Sequence, residues 1–493
     1  MTKRILFYID LFTLHFGLAN YVQKNTDYEL FGLIDTTNKP KNFFQNQKLV
    51  KFKNQWFYHD FIDIHKVPDF EYLKKLSNIY GLDVKKLIKN DRHFNHYNKF
   101  FTFTENQKKS IFAQECKLYE KIISESNVDY LIITQPSLRH SYVLYKICKS
   151  LKVTPLVINP SVLGYQTFVS SHINKLDSFN TKNITVEKKS FNELQNILKQ
   201  FNVNTQIVNY IEKFGQSKLS LVKSAYKFLF INDSSNTKTH YTYFGRSKVK
   251  VLSYSIKNLI QKRSRMDFIN KNFQKSIKDE KIIYFPLQVE PDRNLLLGAP
   301  DFVDQLNSVV QIAKRLPPGY KLYVKEHPGQ NRTWREISYY EKMLKLKNVK
   351  LIHPHFPSEK IYQKCDLVIT AVGTSGFEAL FYGIPVIIFG DTIYSDISTV
   401  TKMNSFDKLE SIIINSLNQK PNPDELNLLL KLLERNSIDF DLFGYYTLQA
   451  HEFYHDSNLI DVEISEEKMK NFLESNNDIF CLLGNHIIDK TKI

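Results

Sequence analysis

The chain has 493 residues, which at roughly 150 residues per domain suggests two to four domains. Hydrophobic residues make 42% of it and charged residues 24%, a globular balance that excludes disorder as the main state. Lys and Arg number 67 against 51 Asp and Glu, a formal charge of +16. That charge favours anionic partners, and nucleic acid, anionic lipid and a phosphorylated or acidic sugar all fit, as does an AT-rich genome with no functional meaning.

The opening MTKRILFYIDLFTLHFGLANY starts like a signal peptide, but Asp10 and His15 interrupt its apolar stretch and no small-residue cleavage site follows. Apolar runs at Arg4 to Asp10, Glu29 to Asp35, Asp129 to Thr134 and Thr154 to Asn159 read as buried parallel strands. Between the last two, SLRHSYVLYKICKSL has helical spacing, with Tyr142, Tyr145, Ile147 and Leu151 among its apolar positions, so the segment is a βαβ unit. A polar, aromatic-rich stretch from about Asn38 to Asn106 interrupts this α/β domain.

From about Ser161 to Lys278 the pattern is polar and mostly helical. It ends in a basic segment whose Lys262, Arg263 and Arg265 suit a membrane surface, an anionic polymer or simply a solvated helix face. A second domain begins at KIIYFPLQ, Lys281 to Gln288. The next element is a helix over Phe302 to Leu316 with Phe302, Leu306, Val309, Ala313 and Leu316 on one stripe, Asp301 as its cap and Asp304 in its first turn. KLYVKEHP, a helix near Tyr339 to Leu346, VKLIHP, a short helix from Ser358 to Cys365, DLVITAVG, TSGFEALFYG, IPVIIFG and helices after Ser405 continue the alternation. This predicts a second doubly wound parallel sheet.

The expected organisation is thus an N-terminal α/β domain over 1–278, a C-terminal Rossmann-like domain over 279–435 and a helical tail over 436–493 that packs back on the N-terminal domain. Two such domains place a ligand cleft at the carboxyl ends of the strands. No run of about 18 apolar residues occurs, so no spanning helix is expected. Cys116, Cys148, Cys365 and Cys481 stand apart with no CxxC, which argues against a disulfide framework or a zinc knuckle and for a reducing cytoplasm.

In DLVITAVGTSGFEALFYGIPVIIFG a buried strand ends at Gly373 and a helix opens at Thr374 or Ser375. Gly373 and Gly376 let the backbone approach a ligand, and helix N-terminal amides with two hydroxyls suit a phosphate. Glu378, nearly one turn on, is placed to accept from a ribose. A capped helix with a glycine turn in any α/β protein has the same residues.

In KLYVKEHPGQNR, Pro328 stops the strand and holds His327 extended at its carboxyl end, where an imidazole can bind a phosphate or stabilise a leaving group. Lys325 and Arg332 add positive charge. In FPLQVEPDRN, Gln288, Glu290, Asp292 and Arg293 share that edge, and Glu290 or Asp292 is either a general base, a sugar-orienting group or a solvated acid. Acceptor-side candidates are Asp10, His15 and Gly17 after the first strand, and Gln135, Ser137, Arg139 and His140 after DYLIIT.

No GxxxxGK[ST] occurs and no GxGxxG follows the first strand, which removes support for P-loop and dehydrogenase readings. The pair Asp439 and Asp441 lies after the second sheet, and His353 and His355 have no third ligand at recognised spacing, so no metal site is expected.

The ordered set FPLQVEPD, YVKEHPGQ and TSGFEALFYGIPVI, between Lys281 and Asp391, resembles the capsule polysaccharide biosynthesis proteins, a group that includes Kdo transferases. More distantly it resembles bacterial sialyltransferases with their His-Pro and Ser/Thr motifs, although their acidic Asp/Glu-Asp/Glu-Gly motif is absent. The resemblance implies a GT-B fold of two Rossmann-like domains, a nucleotide-activated sugar bound mainly by the C-terminal one, and no obligatory metal or cofactor. By position, His327, with Pro328, looks like the His-Pro histidine that meets the donor phosphate. Thr374 and Ser375 look like the hydroxyl pair that holds the phosphate of a CMP-linked sugar.

The function expected is a cytoplasmic glycosyltransferase that builds a surface polysaccharide or glycolipid from a nucleotide sugar, with a CMP-linked, Kdo-like donor favoured. Its +16 charge suits an anionic donor and peripheral contact with the inner face of an anionic membrane. Nucleic acid is not an expected partner, because the aromatics follow core patterns. The alternatives are an enzyme like the non-hydrolysing UDP-N-acetylglucosamine 2-epimerases, a CDP-glycerol type polymerase, and a non-catalytic nucleotide-sugar-binding scaffold in polysaccharide assembly.

Overall fold

The computed structural model describes residues 2–11, 13–177, 186–201, 223, 225–231, 241–330 and 335–492. Its chain divides into two compact units, one formed by 1–177, 202–251 and 436–493 and the other by 178–201 and 252–435. The division differs from the expected boundary at 278 and 279. The helix Lys248–Asn272 belongs to the second unit from Leu252 onward, where Ile269 and Phe273 enter that unit's core.

The first unit holds six strands, β1 (Arg4–Ile9), β2 (Glu29–Ile34), β3 (Asn54–Phe57), β4 (Tyr130–Thr134), β5 (Thr154–Pro160) and β6 (Thr167–Ser170), in the order β3-β2-β1-β4-β5-β6. All pairs are parallel except β5 with β6. The continuous apolar run of β1 follows from burial on both faces. Leu6 and Tyr8 join one core with Phe112 and Tyr119 of the helix Glu105–Ser126, while Ile5, Phe7 and Ile9 join another with Phe16, Phe480 and Leu483. Thr104 and Gln107 close a capping box at the start of Glu105–Ser126, and Asn127 ends it in the left-handed region.

Helices Leu442–Phe453, Glu466–Ser475 and Asn477–Lys492 complete the first unit. Gly17 is a packing glycine within the helix Leu14–Asn25: any Cβ there would enter the ring of Phe480. Burying that phenylalanine contributes about 1.5–3 kcal/mol.

The second unit repeats the topology with β7 (Lys281–Pro286), β8 (Tyr320–Lys325), β9 (Val349–Ile352), β10 (Leu367–Thr370), β11 (Val386–Ile388) and β12 (Val400–Lys402), ordered β12-β11-β10-β7-β8-β9 and parallel throughout. Each sheet reverses its strand order beside its first strand, between β1 and β4 and between β7 and β10. Such switch points open ligand crevices at strand carboxyl ends. Two Rossmann-like doubly wound units in one chain make up the GT-B-like α/β class expected from the sequence.

Local differences have local causes. The helix expected over Phe302 to Leu316 spans Gln305–Lys314, because Pro300–Phe302 forms a 3-10 turn. Asp304, not Asp301, caps it, accepting from the Asn307 N–H at 2.9 Å. Among the described residues, no helix is long and apolar enough to cross a membrane. None of the four cysteines is disulfide-bonded.

Candidate functional site

Three strands of the second unit end side by side, and the loops that follow them are tied together by buried polar groups. Gln288, past the end of β7, donates from its N–H to Gln305 Oε1 at 2.7 Å, accepts at its carbonyl from Gln305 Nε2 at 3.1 Å, and donates from Nε2 to Thr370 Oγ1 of β10 at 3.3 Å. It therefore fills the switch point between β7 and β10. A Cβ on Gly373 would lie 2.5 Å from Gln288 Nε2, so a larger residue there would displace the Gln288 amide from Thr370. The φ of −79° at Gly373 is open to any residue.

Gly376 answers to the same constraint, since its Cβ would meet Tyr394 Oη at 2.5 Å, and that hydroxyl donates to the Gly373 carbonyl at 2.6 Å. The helix Thr374–Leu380 opens with Gly373 at its N-cap, Thr374 exposed and Ser375 half-buried.

Arg335 binds the loops after β7 and β8 into one body. It is 5% exposed, pairs with Glu326, donates from Nη2 to the Gln288 carbonyl at 2.5 Å, and lies 3.3 Å from Glu290. Burial disfavours its charge, but Glu326 foremost, with Tyr339 and Glu290, reverses this and keeps it firmly protonated. Glu290 also accepts from Gln305 Nε2 at 2.5 Å. It is thus a clamp held by two partners, where the sequence left it as a general base, a sugar-orienting group or a solvated acid. Asp292 accepts at Oδ2 from the Asn294 N–H at 3.0 Å and is half-buried.

β8 ends on Lys325, which is 8% exposed and donates from Nζ to Ser358 Oγ at 2.7 Å. Burial lowers its pKa to about 8, against the opposing charge of Glu378. Glu378 accepts from Tyr362 Oη at 2.8 Å, so the carboxylate expected at a ribose is bonded to a buried tyrosine. Burial raises its pKa, with Tyr362 and Lys325 opposing.

Beyond them, His327 and Pro328 are exposed. His327 Nδ1 accepts from the Gly329 N–H at 2.9 Å. That bond assigns the neutral tautomer: the proton sits on Nε2, where it can be donated to a ligand. Lost solvation lowers the His327 pKa, with Glu326 opposing. Arg332 lies outside the described residues.

The strand ends of the first unit form a second polar cluster. Asp35, immediately after β2, accepts at Oδ2 from Tyr8 Oη at 2.7 Å and bonds His140 Nε2 at 2.8 Å, while its Oδ1 meets His59 Nε2 at 3.0 Å. Burial works to raise the Asp35 pKa, but His140 and then His59 hold it well below the usual carboxylate range. Conversely, burial would lower the His140 pKa and Asp35 raises it. His59 is lowered by burial in spite of Asp35.

The other acceptor-side candidates separate. Arg139 is 2% exposed. Its Nε donates to Asp91 Oδ2 at 2.5 Å, its Nη2 donates to Glu115 Oε1 at 2.8 Å, and its guanidinium lies 5.1 Å from the ring centres of both Phe94 and Phe112. The amphipathic helix Arg139–Ser150 turns this first residue into the core, whereas the sequence placed it among the acceptor-side candidates of the turn after β4. His15, in the first turn of Leu14–Asn25, is 1% exposed, and burial lowers its pKa to about 3. It too is an interior residue. Asp10, directly after β1, is half-buried.

Asp441 and His353 have structural partners. Asp441 caps Leu442–Phe453 by accepting from the Gly444 N–H at 2.8 Å, and His353 Nε2 meets Asn270 Oδ1 at 3.0 Å. Among the described residues, no group of three or more His, Cys, Asp or Glu side chains could hold a metal ion.

Residues 190–412 match the family described as capsule polysaccharide biosynthesis protein. This stretch is similar to that family, and the match covers less than half of the chain. No curated protein matches the chain. Among solved structures, the chain is similar to UDP-GlcNAc 2-epimerase from Methanocaldococcus jannaschii, at 12% identity over 88% of this chain and 100% of that one, with a TM-score of 0.25. It is also similar to Thermosulfurimonas dismutans KpsC, a beta Kdo 2,7 transferase, at 14% identity over 67% of this chain and 84% of that one, with a TM-score of 0.31.

The stretch that matches the capsule family contains every donor-side candidate from Gln288 to Glu378, and the Asp35 cluster lies outside it. Sequence reasoning missed Arg335, Gln305 and Gln330, whose partners come from distant loops. It also missed Asp35 and His59. Asp35 was visible only as the last residue of a strand run, and His59 follows the short strand β3 inside a stretch read as an interruption.

Proposed function

We propose that the chain is a glycosyltransferase that moves a sugar from a nucleotide-activated donor to a surface polysaccharide or glycolipid, with a CMP-linked, Kdo-like sugar as the favoured donor. The observation that carries this reading is that residues 190–412, similar to capsule polysaccharide biosynthesis proteins, include the strand-end set Gln288, Lys325, His327 and Ser375.

In this reading the His327 Nε2–H and the Lys325 ammonium meet the charge that develops on the leaving phosphate, aided by the Thr374 and Ser375 hydroxyls. Because Arg335 and the Gln288 amide hold the loops before the donor arrives, little reorganisation accompanies binding. Asp292 is assigned to orienting the donor sugar, and the Asp35, His59 and His140 cluster to the acceptor side. Charge neutralisation rests on protein cations, so transfer is expected to continue in excess chelator.

Thermal stabilisation by CMP, UDP, GDP and CDP, with and without their sugars, tests the reading, since a ligand selective for the folded state raises the melting temperature. A CMP-selective shift that disappears in His327→Ala and Ser375→Ala, together with transfer to a glycan acceptor, is the expected result. A UDP-selective shift with sugar interconversion in the absence of acceptor would overturn the transferase, and binding without turnover would make the protein a scaffold.

A further inference from the structure

The helix Lys248–Asn272 is the longest among the described residues, and its last turns enter the second unit's core. Arg265 is 4% and Ile269 2% exposed, and Phe273 follows them into the second unit's core. Arg265, counted from the sequence among the outward cations, is therefore an interior residue. The preceding turns differ. Leu252, Ile256, Leu259 and Ile260 are 39%, 60%, 68% and 68% exposed, at the i, i+4, i+7 and i+8 spacing that puts them on one stripe.

The charges around that stripe have one sign. No Asp or Glu occurs between Lys248 and Met266. At about 100° per residue, Lys257 and Lys262 fall on opposite flanks of the aliphatic row and Arg263 continues it one turn on, all three exposed. An exposed aliphatic row rimmed by cations on both sides matches a surface that is apolar below and anionic above. A second copy would set like charges against each other, and a soluble polyanion would leave the aliphatic row in water.

We propose that this helix lies in the plane of a bilayer containing anionic lipid, with Leu252, Ile256, Leu259 and Ile260 entering the acyl boundary and Lys257, Lys262 and Arg263 meeting headgroup phosphates. This surface is independent of the donor site and of the transferase reading.

Co-sedimentation of the full chain with extruded vesicles of phosphatidylcholine, alone or mixed with phosphatidylglycerol, tests it. The chain is expected to pellet with the mixed vesicles and to be released by high salt. Lys257→Gln, Lys262→Gln and Arg263→Gln combined should weaken vesicle binding on the order of a hundredfold, and Leu252→Gln with Ile256→Gln and Ile260→Gln should abolish it. The charge variant alters only exposed side chains, so an unchanged melting temperature separates lost binding from lost folding. Equal binding to pure phosphatidylcholine, no binding to either vesicle, or aliphatic variants that bind like the parent would each overturn the proposal. So would light scattering that shows a vesicle-free dimer dissolved by those variants, or polyphosphate capture indifferent to them.

Discussion

Gln330 holds the backbone of Glu290 in both directions: its Oε1 accepts from the Glu290 N–H at 2.9 Å and its Nε2 donates to the Glu290 carbonyl at 3.0 Å. One side chain thereby joins the loop after β7 to the loop after β8. Because Gln330 is only 4% exposed, Gln330→Ala removes both bonds from a half-buried loop, at a cost of about 1–3 kcal/mol. We expect a lower melting temperature together with weaker donor binding by calorimetry. Equal donor affinity would mean that the two loops bind independently.

Lys325 gives donor binding a pH dependence. Its pKa of about 8 means that the ammonium is present below that value and lost above it. Affinity for an anionic donor should therefore fall by up to about tenfold between about pH 7 and about pH 9, and Lys325→Met should flatten the profile at its weak end. The stability linkage runs the other way. Between about 8 and the ordinary lysine value of 10.5 the unfolded chain holds more protons, so this group's contribution to stability rises with pH across that window. Donor titrations and denaturant unfolding across this range check the two signs.

Arg139→Ala would leave Glu115 and Asp91 buried without their cation, a loss of about 3–5 kcal/mol. The first unit should then unfold at markedly lower denaturant concentration. A variant that folded like the parent and lost only acceptor use would return Arg139 to the surface role read from its position after β4.

Gly376→Ala drives a methyl against the Tyr394 hydroxyl and should destabilise the second unit by roughly 1–3 kcal/mol. Tyr394→Phe, which loses the bond to the Gly373 carbonyl, costs about 1 kcal/mol. The double variant should lose less than the sum, because removing the hydroxyl makes room for the methyl. A double-mutant cycle by thermal unfolding measures this coupling.

Central strands such as β1, β4, β7 and β10 were legible because burial on both faces writes an unbroken apolar run. The edge strands β3 and β12 were not: in β3, Asn54 is exposed and Gln55 half-buried, and in β12 only Val400 is buried. The donor-side loops were legible for a related reason, since Gln288, Lys325, His327 and Gly373 all lie at or just past the ends of such runs. What those residues do to one another was not. Glu290 and Glu378 looked like available carboxylates, yet Arg335 and Tyr362, far from them in sequence, engage both. Arg139 misled because a residue just past a strand belongs to the surface or to the interior according to the face its helix presents.

The core shared by Ile5, Phe7, Phe480 and Leu483 sets an order of events during synthesis. The first sheet leaves the ribosome before the second unit, but the partners that cover one of its faces are made after that unit. The second unit's residues are all present before them, so it can close first. The opening segment of the chain must meanwhile wait with an apolar face exposed, making that interval the one in which chaperone protection matters most.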